Sequence, residues 1–458
     1  MSNAPATGKL KRGAISGLAL ARAGITQLGH QARQLTRDDE DKPAAQDQHE
    51  AELGRILFRA LNQLKGTALK VSQLLSMEAD FLPQGIRSEL AKGCYQVTPL
   101  NRALVHKVFS SEFGQAPEQL FAQFEANSFA AASLGQVHHA SLADGTLLAV
   151  KVQYPGIAAS VKSDIRMLRG ILQTLGLGSN LIPRQELIDR MMNEIEHKLV
   201  EELDYQHEAA QLRWFRQHVS LPGIVIPRAI SSHSSRRVLS MQRLDGLHLE
   251  PWLATGPSQA QRDHFGQLLY DWFWTSVRQL GRLHADPHPG NFLFMADGQL
   301  GVLDFGCTKT ISAAFCAAMA QAWSALLAHG EADSYAAVRD AYLALGVISP
   351  ELSLADFETE LMPAITPLID WQLEPYRTTH FDFSQKTPYP SPDRSQNKTM
   401  MLLAAGFHQD LPYFDRAYLG LMHMLKKIGA NVATGNPWTH QSFDTALTST
   451  TNSVREIL

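Results

Sequence analysis

Apolar residues recur at steps of three and four over residues 48–78 and again near 100–113, which predicts two helical stretches. The period then changes, because apolar and polar residues alternate over 118–153 and turn residues interrupt them. This pattern predicts a short antiparallel meander, with the small-residue stretch "AAASLGQ" as a loop and "LLAVKVQ" as a buried strand.

Helical spacing returns from about residue 158, and "IVIPRAI" and "RRVLSMQRLDG" then predict two more strands. Beyond Gly246 the pattern is mostly helical, interrupted by "HADPHPGNF" and by the hairpin "FLFMADGQLGVLDFG". A strand-rich module followed by a helix-rich module predicts a two-lobed α+β fold. We expect four segments: a basic segment and linker (1–46), a helical extension (47–117), a small antiparallel-sheet lobe (118–246) and a helical lobe (247–458).

Composition narrows the class of protein. The chain has 458 residues, which is longer than a single hydrophobic core usually organises, so more than one domain is expected. Its contents of 45% hydrophobic and 19% charged residues are typical of a globular protein. Its 41 basic and 45 acidic residues nearly balance, so nucleic acid is not an expected partner. Three cysteines without CxxC spacing predict neither a disulfide framework nor a structural zinc site, which favours a reducing, cytoplasmic setting.

The N-terminal segment differs from the rest in charge. Residues 1–37 contain six basic residues and no acidic residue. A basic, weakly amphipathic segment of this kind suits an anionic membrane surface, so peripheral membrane contact is one hypothesis, and a tail or a helix docked on the body is the other. No apolar run is long enough to cross a bilayer, and no secretory signal is visible.

A first candidate for chemistry is Lys151 in "LAVKV", because an ammonium group in an apolar strand needs an anion. Carboxylates that could pair with it follow in a helical stretch: Glu201, Glu202, Asp204 and Glu208. Each feature alone also has an ordinary explanation, a lysine reaching water or a solvated acidic face.

A third feature is spacing. Asn291 follows Asp286 by five residues, and Asp304 of "LDFG" follows Asn291 by thirteen. Protein kinases use a strand lysine, a helix glutamate, D-x-x-x-x-N and DFG in this order. Lys151 would then neutralise nucleotide phosphates, Asn291 and Asp304 would coordinate Mg²⁺, and Asp286 would orient an acceptor hydroxyl or accept its proton.

Two departures from ordinary kinases are visible. The loop expected over the phosphates is rich in alanine, with Ala130, Ala131, Ala132 and Ser133 where glycines are usual, and no Ala-Pro-Glu follows DFG. A different interpretation of "HADPHPGNF" is a zinc site of His284, Asp286 and His288, but Pro287 and Pro289 favour a turn.

Together these motifs resemble the UbiB family of atypical kinases, also called AarF or ADCK-like. "AAASLGQVH" is similar to the alanine-rich loop of that family, "DPHPGN" to its catalytic loop, and "ELDYQHEA" (202–209) to its E-x-D element and the helix glutamate. The resemblance implies a bilobal protein-kinase-like fold and binding of ATP or ADP with Mg²⁺. It implies catalytic roles for Lys151, Glu208 and Asp286, and a nucleotide site that includes Ala130, Ala131, Ala132, Ser133, Gln136, Lys151 and Met241.

The family also has a K-x-G-Q motif on its helical extension, and "KVSQ", Lys70 to Gln73, is similar, with Ser72 in place of glycine. The resemblance implies that this extension covers the cleft, that Lys70 pairs with Glu202 of the E-x-D element, which also includes Asp204, and that Glu208 pairs with Lys151. Phosphorylation of other proteins would then be limited.

Members of the family support ubiquinone biosynthesis and isoprenoid-lipid handling, so a lipid or quinone precursor is an implied partner. Two other functions stay open. Choline and antibiotic kinases also use D-x-x-x-x-N and lack Ala-Pro-Glu, which leaves a small-molecule phosphotransferase. A nucleotide-gated lipid-binding or scaffold protein would keep the nucleotide without the chemistry.

Overall fold

A computed structural model describes residues 51–56, 101–132, 134–176, 185–328, 334–390 and 408–438, with the single positions Thr26 and Glu89. These residues form two compact units. Unit 1 comprises Arg228–Arg243 and the described residues up to Ala210, and unit 2 comprises Gln211–Pro227 and the described residues from Leu244.

Unit 1 contains one sheet and several helices. Its elements in chain order are α1 (Arg102–Phe113), α2 (Pro117–Leu120), β1 (Gln123–Ala132), β2 (Gly135–Ser141), β3 (Leu147–Gln153), α3 (Ile157–Gly176), α4 (Gln185–Glu202), the start of α5 (Tyr205–His218) and, after β4 (Ile224–Val225) of unit 2, β5 (Val238–Gln242). Residues 51–56 are also helical. The predicted antiparallel meander is confirmed, since the strand order is β1-β2-β3-β5 and every pairing is antiparallel.

The prediction of a loop over "AAASLGQ" is wrong at both ends, because Ala130–Ala132 end β1 and Gly135 and Gln136 begin β2. Ala130, Ala131 and Ala132 belong to β1 and pair with Val137, Gln136 and Gly135 of β2. The two strands therefore continue to within two residues of each other. Small residues do not by themselves exclude a strand, and here the pairing with β2 satisfies their backbone groups.

Helix α1 packs on this sheet through a stripe that its sequence spacing dictates. Val105, Val108 and Phe109 are buried at steps of three and four. They share a core with Leu148, Val150 and Val152 of β3 and with Phe121, Ala140, Ile230 and Val238. The Asn101 side chain accepts a hydrogen bond from Leu104 N at the start of α1, and Gly114 ends the helix in the left-handed conformation, with φ 71°.

An ion pair adds to this packing. Arg237 lies directly before β5, and its Nε donates to Glu112 Oε1 of α1 at 2.7 Å. Burial raises the pKa of Glu112, but hydrogen bonds with Ser235 and Arg237 outweigh it and hold the pKa below its ordinary value. Glu112 thus stabilises unit 1 as a carboxylate.

Unit 2 is mainly helical, as predicted beyond Gly246. Its elements are the end of α5, β4, α6 (Leu249–Ala254), α7 (Gln259–Trp274), a π-helix (Thr275–Gln279), β6 (Arg282–His284), β7 (Phe292–Phe294), β8 (Leu300–Val302), β9 (Thr308–Thr310), α8 (Ala313–Leu327), α9 (Ser334–Ala344), α10 (Leu354–Asp356), a π-helix (Phe357–Leu361), α11 (Met362–Leu373), β10 (His380–Asp382), α12 (Leu411–Ile428) and β11 (Asn431–Ala433). The expected hairpin is present as β7 and β8.

The segment predicted as a strand from "IVIPRAI" is divided between the two units, since β4 belongs to unit 2 whereas Ala229 forms an antiparallel bridge with Met241 of β5 in unit 1. β4 pairs in parallel with β8, in a three-stranded sheet of order β4-β8-β7. For this reason 211–227 group with unit 2, although the predicted sheet lobe, 118–246, included them. An apolar run two residues long carries no information about which sheet it joins.

The core of unit 2 is built on α7 and α12. Phe273 of α7 lies 5.6 Å from Phe414 and 6.1 Å from Tyr418 of α12, measured between ring centroids. Helix α7 approaches Ala430 closely at Gly266, where a Cβ would overlap the Ala430 side chain. No helix within the described residues is long and apolar enough to span a membrane.

We predict that Glu112→Gln lowers the free energy of unfolding by about 1 kcal/mol at pH 7, because it removes a charge-assisted hydrogen bond. The folded-state pKa of Glu112 lies below its ordinary value near 4.5. Its contribution is therefore present above that value and is lost as the pH falls through the folded-state pKa. Calorimetric unfolding at a series of pH values measures this.

The matched control is Glu118→Gln, which removes the ion pair between Glu118 and Arg102, whose side chains are 40% and 65% exposed. We expect a smaller loss from this variant. An equal loss from Glu112→Gln at pH 7 and at pH 4 would contradict the assignment to the charge.

Candidate functional site

Lys151 lies in the interior strand β3, and only 6% of it is exposed. Its backbone pairs with Val137 of β2 and Leu239 of β5, so sheet hydrogen bonding fixes where the side chain starts. Lys151 Nζ donates to Glu208 Oε1 at 2.5 Å, and the Glu208 side chain is 5% exposed. A buried ammonium group is stable beside such a carboxylate. The expected Lys151–Glu208 pair is thus present in the structure.

Glu208 is placed by the first turn of α5. Asp204 precedes this helix, and its Oδ1 accepts hydrogen bonds from the backbone N–H groups of Gln206 and His207, at 3.0 and 3.3 Å. Asp204, predicted as part of a regulatory element, therefore caps the helix that carries Glu208. Glu202 is the last residue of α4.

Further contacts hold the α4–α5 turn against β3. The buried Gln153 side chain donates to the Leu203 carbonyl oxygen at 2.9 Å. Gly135 of β2 allows a close approach, since a Cβ there would overlap Val152 O of β3 and lie 2.9 Å from the Tyr205 hydroxyl. Gly135 lies within the alanine-rich motif "AAASLGQVH", but only the strand register shows that this position requires glycine.

Gln136 is buried, and its Nε2 donates to His138 Nε2 at 2.7 Å. His138 Nδ1 lies 2.8 Å from Glu125 O, and a carbonyl oxygen can only accept, so Nδ1 carries the proton. Burial lowers the pKa of His138, and the Glu125 hydrogen bond only partly offsets it. A neutral His138 therefore orients the Gln136 side chain.

The other described residues predicted to contact nucleotide lie in this sheet. Ala130, Ala131 and Ala132 end β1, and Ser133 lies outside the described residues. Met241 is a buried residue of β5 opposite Ala149. Their contact with nucleotide stays a prediction.

In unit 2, the segment 284–292 leaves β6, forms a short 3₁₀ turn (Pro289–Asn291) and enters β7. Asn291 Nδ2 donates to Asp286 Oδ2 at 3.0 Å and to Asp286 O at 3.1 Å. His288 Nδ1 accepts from Gly290 N at 3.0 Å, which stabilises the turn. The five-residue spacing thus brings Asp286 and Asn291 together, as predicted.

Asp304 follows β8 and is connected to this loop through its backbone. Leu303 N donates to Asn291 O at 2.9 Å, and His284 Nε2 donates to Asp304 O at 2.6 Å. Burial lowers the pKa of His284, which outweighs the effect of that hydrogen bond. His284 is therefore a neutral donor that fixes the Asp304 backbone, and Asp304 Oδ1 accepts from Gly306 N at 2.9 Å.

Sequence reasoning missed Arg416 and Gly420, both on α12. Arg416 Nη2 donates to Asp286 Oδ1 at 3.1 Å, and the two side chains are 8% and 11% exposed. A Cβ at Gly420 would overlap the Pro287 ring. A signal for Gly420 existed, because glycine inside an amphipathic helix costs about 1 kcal/mol relative to alanine and implies a close approach.

The predicted oxygen ligands fit Mg²⁺ in their chemistry. Asn291 uses its amide nitrogen for Asp286, which leaves its amide oxygen as the ligand atom, and Asp304 supplies a carboxylate. The zinc alternative finds no support, since no three His, Cys, Asp or Glu side chains converge to hold a metal among the described residues. His284 and His288 instead bond to the backbone.

The K-x-G-Q-like residues Lys70, Ser72 and Gln73 lie outside the described residues, as do Cys94 and the basic N-terminal segment apart from Thr26. The predicted Lys70–Glu202 pair therefore stays a prediction. Cys316 is a buried free thiol.

Comparison with known proteins agrees with these motifs. The model of the ABC1 atypical kinase-like domain matches residues 94–338, more than half of the chain. An uncharacterized Synechocystis protein is 35% identical over 56% of this chain and 37% of its own length. Arabidopsis thaliana ACTIVITY OF BC1 COMPLEX KINASE 3, chloroplastic, is 30% identical over 71% and 45%. Atypical kinase COQ8B, mitochondrial, of Rattus norvegicus is 32% identical over 58% and 50%.

The matches thus span about half or less of the length of these curated relatives. A solved Mycobacterium tuberculosis protein, in complex with erythromycin, has a TM-score of 0.57 and 25% identity, over 86% of this chain and 96% of that one. The expected α+β kinase-like fold is confirmed. The chain belongs to the ABC1 atypical kinase-like family, the UbiB, AarF or ADCK-like group that its motifs resemble.

Proposed function

We propose that this protein binds ATP or ADP with Mg²⁺ and transfers the terminal phosphoryl group of ATP to water or to a small acceptor. The buried Lys151–Glu208 pair is the observation that carries the proposal. Burying two opposite charges costs several kcal/mol of desolvation per ion, which can exceed the attraction between them. The pair therefore contributes little to stability by itself, which favours a functional role. Kinases use a strand lysine paired with a helix glutamate to bind phosphates.

The roles follow from the chemistry of each residue. Lys151 neutralises the α- and β-phosphates, and Glu208 keeps its ammonium group charged and in place. Asn291 and Asp304 would hold Mg²⁺, which neutralises charge on the transferred group when it is bound. Asp286 orients the attacking hydroxyl or water and accepts its proton. The attacking oxygen bonds to the γ-phosphorus, and the bond to the β–γ bridging oxygen breaks with its electron pair leaving on ADP.

The alanine-rich end of β1 supports a limit on this function. A Cβ on each of Ala130, Ala131 and Ala132 restricts how closely the backbone approaches phosphate. The absence of Ala-Pro-Glu after DFG removes the usual peptide-docking segment. We infer a preference for small acceptors or water over proteins, and a physiological role in ubiquinone or isoprenoid-lipid metabolism that rests on the family alone.

Nucleotide should stabilise the folded protein. At about 100 times Kd, Mg-ADP or Mg-ATP adds about 2.7 kcal/mol to the free energy of unfolding, which a thermal-shift measurement detects. We expect Asp304→Asn to remove the part of the shift that depends on Mg²⁺. The control is Asp297→Asn, an exposed residue of the β7–β8 turn, which should keep the shift. Equal magnesium dependence in wild type and Asp304→Asn would contradict the assignment.

ATP turnover tests the chemistry separately from binding. We expect Asp286→Asn to lower kcat about 10²–10⁴-fold, as loss of a general base does, with KM for ATP little changed. Release of inorganic phosphate, measured with and without added lipid, gives both constants. If wild type binds Mg-nucleotide but releases no more phosphate than Asp286→Asn, transfer to water is contradicted, and the result favours the nucleotide-gated scaffold unless an added acceptor restores ADP formation.

Peripheral membrane contact is proposed through the basic segment 1–40. Anionic vesicles of phosphatidylglycerol and phosphatidylcholine should co-sediment the full chain, and less so at high salt, because screening weakens the attraction of exposed basic residues. A chain without residues 1–40 should remain in the supernatant. Equal binding of both chains would show that this segment is not the contact.

A further inference from the structure

We propose that Arg416 on α12 is the positioning residue for Asp286, holding its carboxylate in the orientation that phosphoryl transfer requires. This inference rests on the proposed function, because it concerns the same loop. Arg416 lies 130 residues beyond Asp286 in the chain, outside every motif that identified the loop.

The contacts fix Asp286 from two sides. Arg416 Nη2 donates to Oδ1 at 3.1 Å, and Asn291 Nδ2 donates to Oδ2 at 3.0 Å. A single donor leaves a carboxylate free to rotate, whereas donors on both of its oxygens fix the plane of the group. The arginine contact is a charge-assisted hydrogen bond between largely buried side chains, the stronger class of such bonds.

A second contact of the same helix acts on the next residue of the loop. Gly420 is one turn beyond Arg416, so both positions lie on one side of α12. The Pro287 ring occupies the space that a Cβ at position 420 would take. Arg416 therefore fixes the Asp286 side chain, while the surface at Gly420 fixes the backbone that follows it.

α12 is a firm support for these contacts. Phe414 and Tyr418, on either side of Arg416 in the sequence, are fully buried and pack on Phe273 of α7. The loop has few backbone donors of its own, because Pro287 and Pro289 have no N–H. Catalytic groups must be aligned to within about 0.5 Å. The contacts from α12 supply restraints on Asp286 that the proline-rich turn does not provide by itself.

The test is Arg416→Gln, which keeps a hydrogen-bonding amide and removes the guanidinium. We expect kcat for ATP to fall about tenfold to hundredfold, with KM and nucleotide affinity unchanged, since only the orientation of Asp286 is affected. Arg416→Lys should recover part of the loss. Arg377→Gln is the matched control, because it breaks an exposed Arg–Asp pair in the same unit, with Asp370, and should leave kcat unchanged.

A double-mutant cycle distinguishes positioning from general support. In an Asp286→Asn background, Arg416→Gln should lower kcat by less than twofold, because the carboxylate that it orients is already gone. Multiplicative losses, or a raised KM in Arg416→Gln, would overturn the proposal. A wild-type value of kcat in Arg416→Gln would overturn the positioning role of Arg416 and leave the proposed function intact. A wild-type protein without ATP turnover would instead overturn the proposed function, on which this inference depends.

Discussion

A charge that is removed from water must lie beside an opposite charge, and this constraint governs the candidate functional residues of each unit. Lys151 and Glu208 form one such pair in unit 1, and Asp286 and Arg416 form another in unit 2. Each pair joins residues far apart in sequence, by 57 and 130 positions. Forming either pair therefore requires that distant elements first pack correctly.

The supporting interactions are mostly backbone contacts, which explains how the charges stay in place. In unit 1, Asp204 caps α5, and Gln153 holds the preceding turn through a carbonyl oxygen. In unit 2, His284 holds the backbone of Asp304, and Leu303 N bonds to Asn291 O. Neutral histidines serve this purpose well, because a buried neutral ring donates a hydrogen bond without needing a counter-charge.

The sequence was sufficient for features whose residues lie close together or form known motifs. The spacing of Asp286, Asn291 and Asp304 identified their loop and hairpin, and the order of the motifs predicted the kinase-like fold. It was insufficient where register or long-range packing decides. Ala130–Ala132 were predicted as loop residues because they are small, and the strand register that pairs them with β2 is not visible in the sequence. Ile224–Val225 pair with β8 rather than with the small sheet. Arg416 carried no local sign of its partner.

The proposed function depends most directly on a cation that Asn291 and Asp304 would hold together with nucleotide phosphate. The most direct measurement uses Mn²⁺ in place of Mg²⁺, with electron–nuclear double resonance on the protein-bound Mn²⁺–ADP complex. We expect phosphorus hyperfine coupling in the wild-type protein, and loss of the protein-bound signal in Asn291→Ala and Asp304→Asn. An unchanged signal in both variants would contradict it.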